Sequence, residues 1–300
     1  MESILVTGSS GFIGMHLCES LLNDGYKVIG IDNMENHYGI TLKEERLKKL
    51  LKYENFIFEK IDILSSSDVE NVFKKFKPNK VVNLAAKAGV RKSIKNPFAY
   101  VQTNISGFVN IIEACKNNNV EGLIYASSSS VYGSNQKTPF SITDRTDKQI
   151  SIYAVSKKAN ELIAHTYNQL YDLNTTGLRF FTVYGPWGRP DMATYIFADK
   201  ICKNEEIEVF NNGEMKRDFT YIDDIIKGVR TSIDCNYPYE IFNLGNNRSE
   251  NLVDMIGFIE KELNKNAKIK FSVIQPGDVK KTFANIHCAQ NKLNYKPEIS

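Results

Sequence analysis

The sequence lacks the features of several protein classes. No stretch approaches the roughly 20 consecutive apolar residues that a membrane-spanning helix needs, and a strand pattern begins almost at the first residue, which leaves no room for a signal peptide. The five cysteines and four histidines are scattered, without a CxxC pair or metal-ligand spacing. We therefore expect no metal site, no membrane contact, and a cytoplasmic protein with reduced thiols.

Positive and negative residues are nearly balanced. The chain has 38 Lys and Arg against 35 Asp and Glu, a net charge of +3. This balance does not favour binding to nucleic acid or to membrane surfaces. There is no fixed-period repeat and no low-complexity linker. A chain of 300 residues can form one large α/β domain with an appendage, or two domains that share an interface.

Strand patterns alternate with helix patterns through the first part of the chain. Strands are predicted at residues 4–6, 27–32, 56–61, 80–85, 122–127 and 176–181. Helices are predicted from the turn after the first strand to about residue 22, and at 41–52, 67–76, 97–117 and 151–172. This alternation predicts an α/β fold with a Rossmann-type, doubly wound parallel sheet.

The pattern changes after residue 184 to short, mixed elements with several Gly and Pro. We therefore predict a dinucleotide-binding domain over residues 1–184 and a smaller, mixed α/β substrate domain over residues 185–300. A late strand at 239–244 is expected to return to the main sheet.

A glycine-rich turn, GSSGFIG at residues 8–14, follows the first strand. Such a turn lets a pyrophosphate approach backbone N–H groups at a helix N-terminus. Its GxxGxxG spacing is a weak signal, and a structural turn explains it about as well. The second strand, however, ends at Asp32, whose carboxylate can accept from the adenosine ribose hydroxyls and repels a 2′-phosphate. The pair of features predicts NAD rather than NADP.

Tyr153 and Lys157 are four residues apart, so they project from the same face of a helix. A neighbouring ammonium favours the phenolate and moves the pKa of Tyr toward working pH, where it can exchange protons efficiently. A run of serines at residues 127–130 follows a strand, where open α/β sheets bind ligands. It can hydrogen-bond a substrate hydroxyl or, alternatively, only cap the strand. The combination predicts an active site.

Five motifs together resemble the extended short-chain dehydrogenase family, the nucleotide-sugar epimerases and dehydratases. They are GSSGFIG at 8–14, NLAAKAGV at 83–90, ASSSSVYG at 126–133, YAVSK at 153–157 and RDFTYIDD at 217–224. The resemblance implies bound NAD and the catalytic residues Ser128, Tyr153 and Lys157. It implies cofactor contacts from Gly8, Gly11, Phe12, Ile13, Gly14, Asp32, Asn33, Asp62, Ile63, Leu84, Ala85, Ala86, Lys87, Asn104, Tyr153, Lys157, Phe180 and Val183.

Four longer stretches, at residues 88–101, 176–193, 215–225 and 275–279, are similar to the members that act on UDP-glucuronate. The resemblance implies that a hydride leaves C4 of the sugar and returns to its opposite face. The substrate contacts would come from Ser128, Ser129, Thr182, Arg189, Val209, Arg217 and Asp278. Among them, Thr182 and Arg189 would meet the C6 carboxylate, although a surface Arg after a turn is the alternative reading of Arg189.

Other members of the family start with the same oxidation. A dehydratase usually carries an Asp-Glu pair after the active-site hydroxyl residue, and a decarboxylase a Glu, whereas Ser129 and Ser130 stand here. The sequence therefore favours a 4-epimerase. UDP-glucose or UDP-N-acetylglucosamine epimerases remain alternatives, as does a catalytically silent NAD-binding protein, which predicts loss of a catalytic residue.

The chain departs from the family pattern at two places, and two of its helices predict an assembly. Lys87 stands where the family has Gln or His, and the chain stops short of an expected terminal helix, which we interpret as truncation or a degenerate tail. The helices at 97–117 and 151–172 carry surplus apolar residues, and the resemblance implies that they pair with their copies in a homodimer. The residues concerned are Phe108, Ile111, Ile112, Leu162, Ile163, Tyr167 and Leu170.

Overall fold

Seven parallel strands form the centre of the protein, as shown by a computed structural model that describes residues 2–300. The strands of the whole chain are β1 (Ser3–Thr7), β2 (Lys27–Ile31), β3 (Phe56–Glu59), β4 (Lys80–Asn83), β5 (Gly122–Ser128), β6 (Thr175–Phe180), β7 (Thr182–Tyr184), β8 (Glu206–Phe210), β9 (Lys216–Arg217), β10 (Phe219–Tyr221), β11 (Tyr239–Leu244), β12 (Glu250–Asn251) and β13 (Lys268–Ser272). The central sheet has the order β3-β2-β1-β4-β5-β6-β11.

Helices cover both faces of this sheet. They are α1 (Phe12–Asn23), α2 (Ile40–Leu50), α3 (Ser66–Phe76), α4 (Val90–Lys95), α5 (Pro97–Val101), α6 (Gly107–Asn117), α7 (Ile152–Tyr171), α8 (Ala193–Cys202), α9 (Ile222–Cys235), α10 (Leu252–Leu263) and α11 (His287–Leu293). Within residues 2–300, no helix is both long enough and apolar enough to pass through a bilayer. The predicted doubly wound α/β fold is confirmed.

The burial of β1 shows why its apolar run is continuous. Ile4 and Val6 face a core cluster that includes α1 and α9, whereas Leu5 faces a second cluster that includes α3 and α6. Successive side chains of a strand point to opposite faces. Because β1 is a parallel strand covered on both faces, its central run from Ile4 to Val6 is apolar without alternation.

The chain after residue 184 contributes to two places. Its strand β11 pairs in parallel with β6 at the edge of the central sheet. Its other strands form small two-stranded sheets with each other or with β7, and α8, β8 and α10 enclose a third core cluster. The division into domains at residues 184 and 185 stays a prediction, since the main sheet and the later segments are interleaved.

The predicted interface residues do not form one exposed surface. Phe108, Ile111 and Ile112 are at most 1% exposed and pack against the protein's own sheet. Leu162 and Leu170, in contrast, are 59% and 66% exposed. The apolar surplus on α6 therefore belongs to the core, because this helix is sandwiched between the sheet and α3 and α7. Ile163 and Tyr167 are partly buried against the same cluster.

Candidate active site

The glycine-rich turn forms one wall of a cavity of about 280 Å³ at the carboxyl ends of the strands. Gly8 has φ +68°, and a Cβ there would lie 2.9 Å from the backbone N of Ala85. A Cβ on Gly14 would lie 2.1 Å from the carbonyl oxygen of Gly8. The backbone is thus packed too closely for side chains, and the turn leads directly into the N-terminus of α1. This cradle of N–H groups suits a pyrophosphate.

Nearly all of the predicted cofactor residues line this cavity. They are Gly8, Gly11, Phe12, Ile13, Gly14, Asp32, Asn33, Asp62, Ile63, Leu84, Ala85, Ala86, Lys87, Tyr153, Lys157, Phe180 and Val183.

Asn104 differs from the prediction: it does not line the cavity. A π-helical turn, Gln102–Ser106, interrupts the helix predicted at 97–117 and turns Asn104 inward, where it is 2% exposed. Its Oδ1 accepts from the backbone N of Lys87 (2.8 Å), and its Nδ2 donates to the Lys87 carbonyl (2.9 Å) and to Ser156 Oγ (3.0 Å). Asn104 therefore fixes the loop after β4 against α7.

Asp32 has a cationic neighbour that the sequence did not reveal. Its carboxylate accepts from the backbone N of Ser10 (3.2 Å) and Met34 (2.8 Å), and from Lys43 Nζ (2.9 Å). Lys43 comes from α2, and its side chain is largely buried beside Asp32. The carboxylate is thus held in place at the predicted adenosine end of the cavity.

Lys87 also has a partner that the sequence did not reveal. Its ammonium contacts both carboxylate oxygens of Glu35, at 2.5 and 2.7 Å. Glu35 follows β2 and Lys87 follows β4, and both side chains line the cavity. Lys87, at the position where the resemblance led us to expect Gln or His, therefore forms an ion pair between two loops that line the cavity.

The three predicted catalytic residues meet at the same place. Ser128 ends β5, and Tyr153 lies in the first turn of α7, which begins after Ser151, whose hydroxyl accepts from Ala154 N (3.1 Å). Lys157 lies one turn later, and its Nζ donates to the carbonyl of Ala126 (2.9 Å). All three line the first cavity.

The surroundings of Tyr153 differ from the expectation in two respects. Burial raises the pKa of its hydroxyl above the ordinary value, and the Ser128 side chain and the charge of Arg189 lower it only in part. Lys157, which was expected to supply the lowering charge, bonds to backbone, and burial lowers its own pKa to about 8. Arg189, which comes from the later part of the chain, supplies a lowering charge that the sequence did not reveal.

A second cavity, of about 670 Å³, adjoins the first and shares Ser128, Tyr153 and Arg189 with it. The predicted substrate residues that line it are Ser128, Ser129, Thr182, Arg189, Arg217 and Asp278. Val209 does not line it: it is fully buried beside Ile207 in the third core cluster. Because side chains alternate along β8, the cavity is lined instead by Glu208 and Phe210.

Arg91 and Phe210 are site residues that sequence reasoning missed. The Arg91 guanidinium lies 4.3 Å from the centre of the Phe210 ring, and its Nη2 donates to Asp278 Oδ2 (2.6 Å). Arg217 lies in the same cavity; its Nη1 donates to the carbonyl of Lys216 (2.9 Å). The available signal for Arg91 was its place in the stretch 88–101; no sequence signal marked Phe210.

Comparison with known proteins decides the family. Residues 4–245 match the model of the NAD dependent epimerase/dehydratase family. The chain belongs to this family. The match covers the glycine-rich turn, the serine run and the Tyr153-Lys157 pair, so the predicted resemblance and the predicted NAD dependence are confirmed.

Individual members of the family are similar over nearly the whole chain. UDP-glucuronate 4-epimerase 3 of Arabidopsis thaliana is 44% identical, covering 98% of this chain and 73% of the plant protein. The crystal structure of UDP-glucuronic acid 4-epimerase from Bacillus cereus, in complex with UDP-glucuronic acid and NAD, is 36% identical with a TM-score of 0.94, covering 99% and 95% of the two chains. UDP-N-acetylglucosamine 4-epimerase from Methanobrevibacter ruminantium M1 is 31% identical with a TM-score of 0.90, covering 99% and 93%.

Proposed function

We propose that this protein is an NAD-dependent UDP-sugar 4-epimerase that interconverts UDP-glucuronate and UDP-galacturonate. The observation that carries the proposal is the position of Arg189, which lines both cavities together with Ser128 and Tyr153. A cation at this junction can hold a C6 carboxylate while the neighbouring C4 faces the cofactor. The similarity to the plant and Bacillus cereus UDP-glucuronate epimerases supports the same assignment.

The glycine-rich turn, Asp32 and Lys157 would hold NAD, which when bound would supply reversible hydride chemistry at C4 of the sugar. Tyr153 takes the proton from O4 and afterwards gives it back. The Ser128 hydroxyl hydrogen-bonds O4. Because oxidation and reduction occur in the same site, no external redox partner is consumed.

The UDP group fits the far part of the second cavity. Within residues 2–300, Arg217 has no carboxylate within ion-pair distance, and burial lowers the pKa of its guanidinium. Arg217 is half-buried, so its charge is only partly hydrated, and a diphosphate would offset that cost by bidentate hydrogen bonding. We assign Arg217 to the diphosphate and Asp278 to the uridine ribose.

The residues beside Ser128 bear on the fate of the oxidised sugar. A 4-keto glucuronate is a β-keto acid and can lose CO₂, and the resulting enolate then needs a proton. Ser129 and Ser130 provide hydroxyls, and neither is an acid of useful strength. We therefore assign UDP-galacturonate, with little UDP-pentose, as the product.

We expect Arg189→Ala to lower kcat/KM for UDP-glucuronate by about one to two decades more than for UDP-glucose, because a charge-assisted hydrogen bond contributes about 1.5–3 kcal/mol. Steady-state kinetics with both sugars, and NMR of the products, measure this difference. Arg145→Ala is a matched control, since Arg145 is a surface residue whose side chain is 91% exposed. Equal losses for both sugars would remove the carboxylate role, and efficient turnover of UDP-N-acetylglucosamine by the parent protein would move the assignment to that branch.

The same substitution has a pH signature. The charge of Arg189 lowers the pKa of Tyr153, so its removal raises that pKa and shifts the rise of kcat with pH to higher pH for both sugars. The loss of kcat that both sugars share becomes smaller at high pH, because Tyr153 is then ionised in the parent protein and in the variant. The loss specific to UDP-glucuronate persists there, because its carboxylate stays charged.

We also propose that two copies pair through α5 and α7. Phe98 is 79% exposed on α5, and Leu162 and Leu170 are 59% and 66% exposed on α7; large apolar side chains exposed on neighbouring helices are a feature of protein interfaces. Light scattering at micromolar concentration is expected to give a dimer mass, and Leu162→Glu a monomer mass. A monomeric parent protein would contradict the proposal.

A cytoplasmic location stays a prediction.

A further inference from the structure

Arg189 is held by a carboxylate of its own chain. Its Nε donates to Asp191 Oδ1 (3.0 Å) and its Nη2 to Asp191 Oδ2 (2.8 Å), which is a bidentate pair along one edge of the guanidinium. The two side chains are 21% and 22% exposed. Within residues 2–300, Nη1 of Arg189 has no hydrogen-bond partner. One edge of the guanidinium is therefore occupied, and the other can still bind an anion.

A second cation shares the same carboxylate. Lys92 Nζ, from α4, lies 3.2 Å from Asp191 Oδ2 and also donates to the backbone carbonyl of His37 (3.3 Å). The ring of Tyr38 lies 6.0 Å from Arg189 Cζ. Asp191 thus connects Arg189 to α4, and through Lys92 to the loop after β2. The cluster of two cations and one anion keeps one positive charge beside the sugar part of the cavity.

Asp191 is ionised whenever the protein is folded near neutral pH. Burial on its own raises the pKa of its carboxyl, but the hydrogen bonds and charge of Arg189, with those of Lys92, lower the pKa to about 2. The bidentate pair therefore persists across the working range, and its geometry does not depend on moderate changes of pH.

We propose that Asp191 is a positioning residue for sugar specificity: it fixes the plane of Arg189 so that the Nη1 side meets the C6 carboxylate of the substrate. The inference rests on the proposed role of Arg189. A free Arg side chain loses rotamer freedom when it binds, and this loss weakens binding. In this structure two hydrogen bonds to Asp191 already hold the side chain in one conformation. A planar guanidinium can bind two carboxylates on different edges, which makes the shared arrangement geometrically possible.

A purely electrostatic role for Asp191 makes the opposite prediction for the binding of UDP-glucuronate. If Asp191 only neutralised Arg189, its removal would raise the net charge of the cluster and strengthen binding of UDP-glucuronate. If Asp191 fixes Arg189, its removal weakens binding of UDP-glucuronate despite the added positive charge. The sign of the change therefore separates the two roles.

Asp191→Ala is expected to lower kcat/KM for UDP-glucuronate by about tenfold, the cost of ordering one long side chain, with most of the change in KM, because the contact is made in both the ground and transition states. UDP-glucose, which has no C6 carboxylate, should lose far less. Asp199→Ala is the matched control, because Asp199 forms an exposed pair with Lys203 on α8. Asp191→Asn, which keeps the shape, decides the question if the Ala variant does not fold.

A double-variant cycle ties the effect to Arg189. In an Arg189→Ala background, Asp191→Ala should change the ratio of the two kcat/KM values by less than about twofold, because the residue through which it acts is gone. A gain for UDP-glucuronate, or equal losses for the two sugars, would overturn the inference. A result in which Arg189→Ala lowers kcat/KM more for UDP-glucuronate than for UDP-glucose, while Asp191→Ala lowers both equally, would overturn only this inference. If Arg189→Ala lowers kcat/KM equally for the two sugars, both the carboxylate role of Arg189 and this inference are overturned.

Discussion

Tyr153→Phe is expected to lower kcat by a factor of about 10² or more while the protein keeps its fold and its NAD, because the variant lacks the hydroxyl that exchanges the O4 proton. The ring itself remains: it packs edge-to-face on Tyr100, with 6.2 Å between ring centres. Steady-state turnover, cofactor content after purification and circular dichroism together measure the three parts of this expectation.

Tyr171→Phe is the matched control for this substitution. Tyr171 ends the same helix, is 49% exposed, and should tolerate the loss of its hydroxyl without effect on turnover. Near-normal turnover of Tyr153→Phe would remove Tyr153 from the mechanism. A variant that loses both NAD and helical signal would show instead that the hydroxyl is structural.

Glu161→Gln is expected to destabilise the protein by about 3–5 kcal/mol, because it leaves a buried charge without its partner. Glu161 accepts from Arg179 Nε (2.8 Å) and Nη2 (2.9 Å), and from Ser127 Oγ (2.7 Å). The side chains of Glu161 and Arg179 are only 1% and 3% exposed. Denaturant unfolding measures the change in the free energy of unfolding.

The control for the buried pair is a surface pair of the same kind. Glu45 pairs with Lys48 on α2, and the two side chains are 48% and 73% exposed, so Glu45→Gln should cost about 0–1 kcal/mol. A loss below about 1 kcal/mol for Glu161→Gln would contradict the prediction. Burial alone raises the pKa of Glu161, but Arg179 and Ser127 lower it overall. Its contribution is therefore present above the unfolded-state pKa and lost as pH falls through the folded-state value.

The buried pair also connects the parts of the active site. Glu161 lies on α7 one turn after Lys157, Arg179 lies on β6, and Ser127 precedes Ser128 on β5. Arg179 Nη1 extends the network to the hydroxyl of Tyr132 (3.0 Å). Because the helix with Tyr153 and the strand with Ser128 meet through this network, we expect the loss of stability in Glu161→Gln to be accompanied by a loss of kcat.

Local pattern was sufficient for the scaffold and for the residues closest to the chemistry. The alternation of strands and helices, the glycine-rich turn and the four-residue spacing of Tyr153 and Lys157 all depend on neighbours along the chain. The carboxyl ends of parallel strands meet at one edge of a sheet, so Ser128 and Asp32 could be placed there without coordinates. These features of the sequence therefore predicted the fold and most of the cofactor cavity.

The sequence pattern did not predict correctly the direction in which two side chains point. Val209 was expected in the substrate site, but it faces the third core cluster, and Phe210 faces the cavity. Asn104 was expected to contact the cofactor, but a π-helical turn points it at Lys87 and Ser156. A shift of one residue in a strand, or of part of a turn in a helix, exchanges the two faces.

The sequence by itself determined the class of fold, the NAD-binding turn and the Ser128, Tyr153 and Lys157 group, because short-range periodicity and strand ends specify them. Only the tertiary structure decided which charges act together: Lys43 with Asp32, Glu35 with Lys87, and Asp191 with Arg189. The first partnership joins α2 to the residue after β2, the second joins two loops, and the third depends on how a turn folds back on itself. Charge pairing depends on distance in space, which the order of residues along the chain does not encode directly.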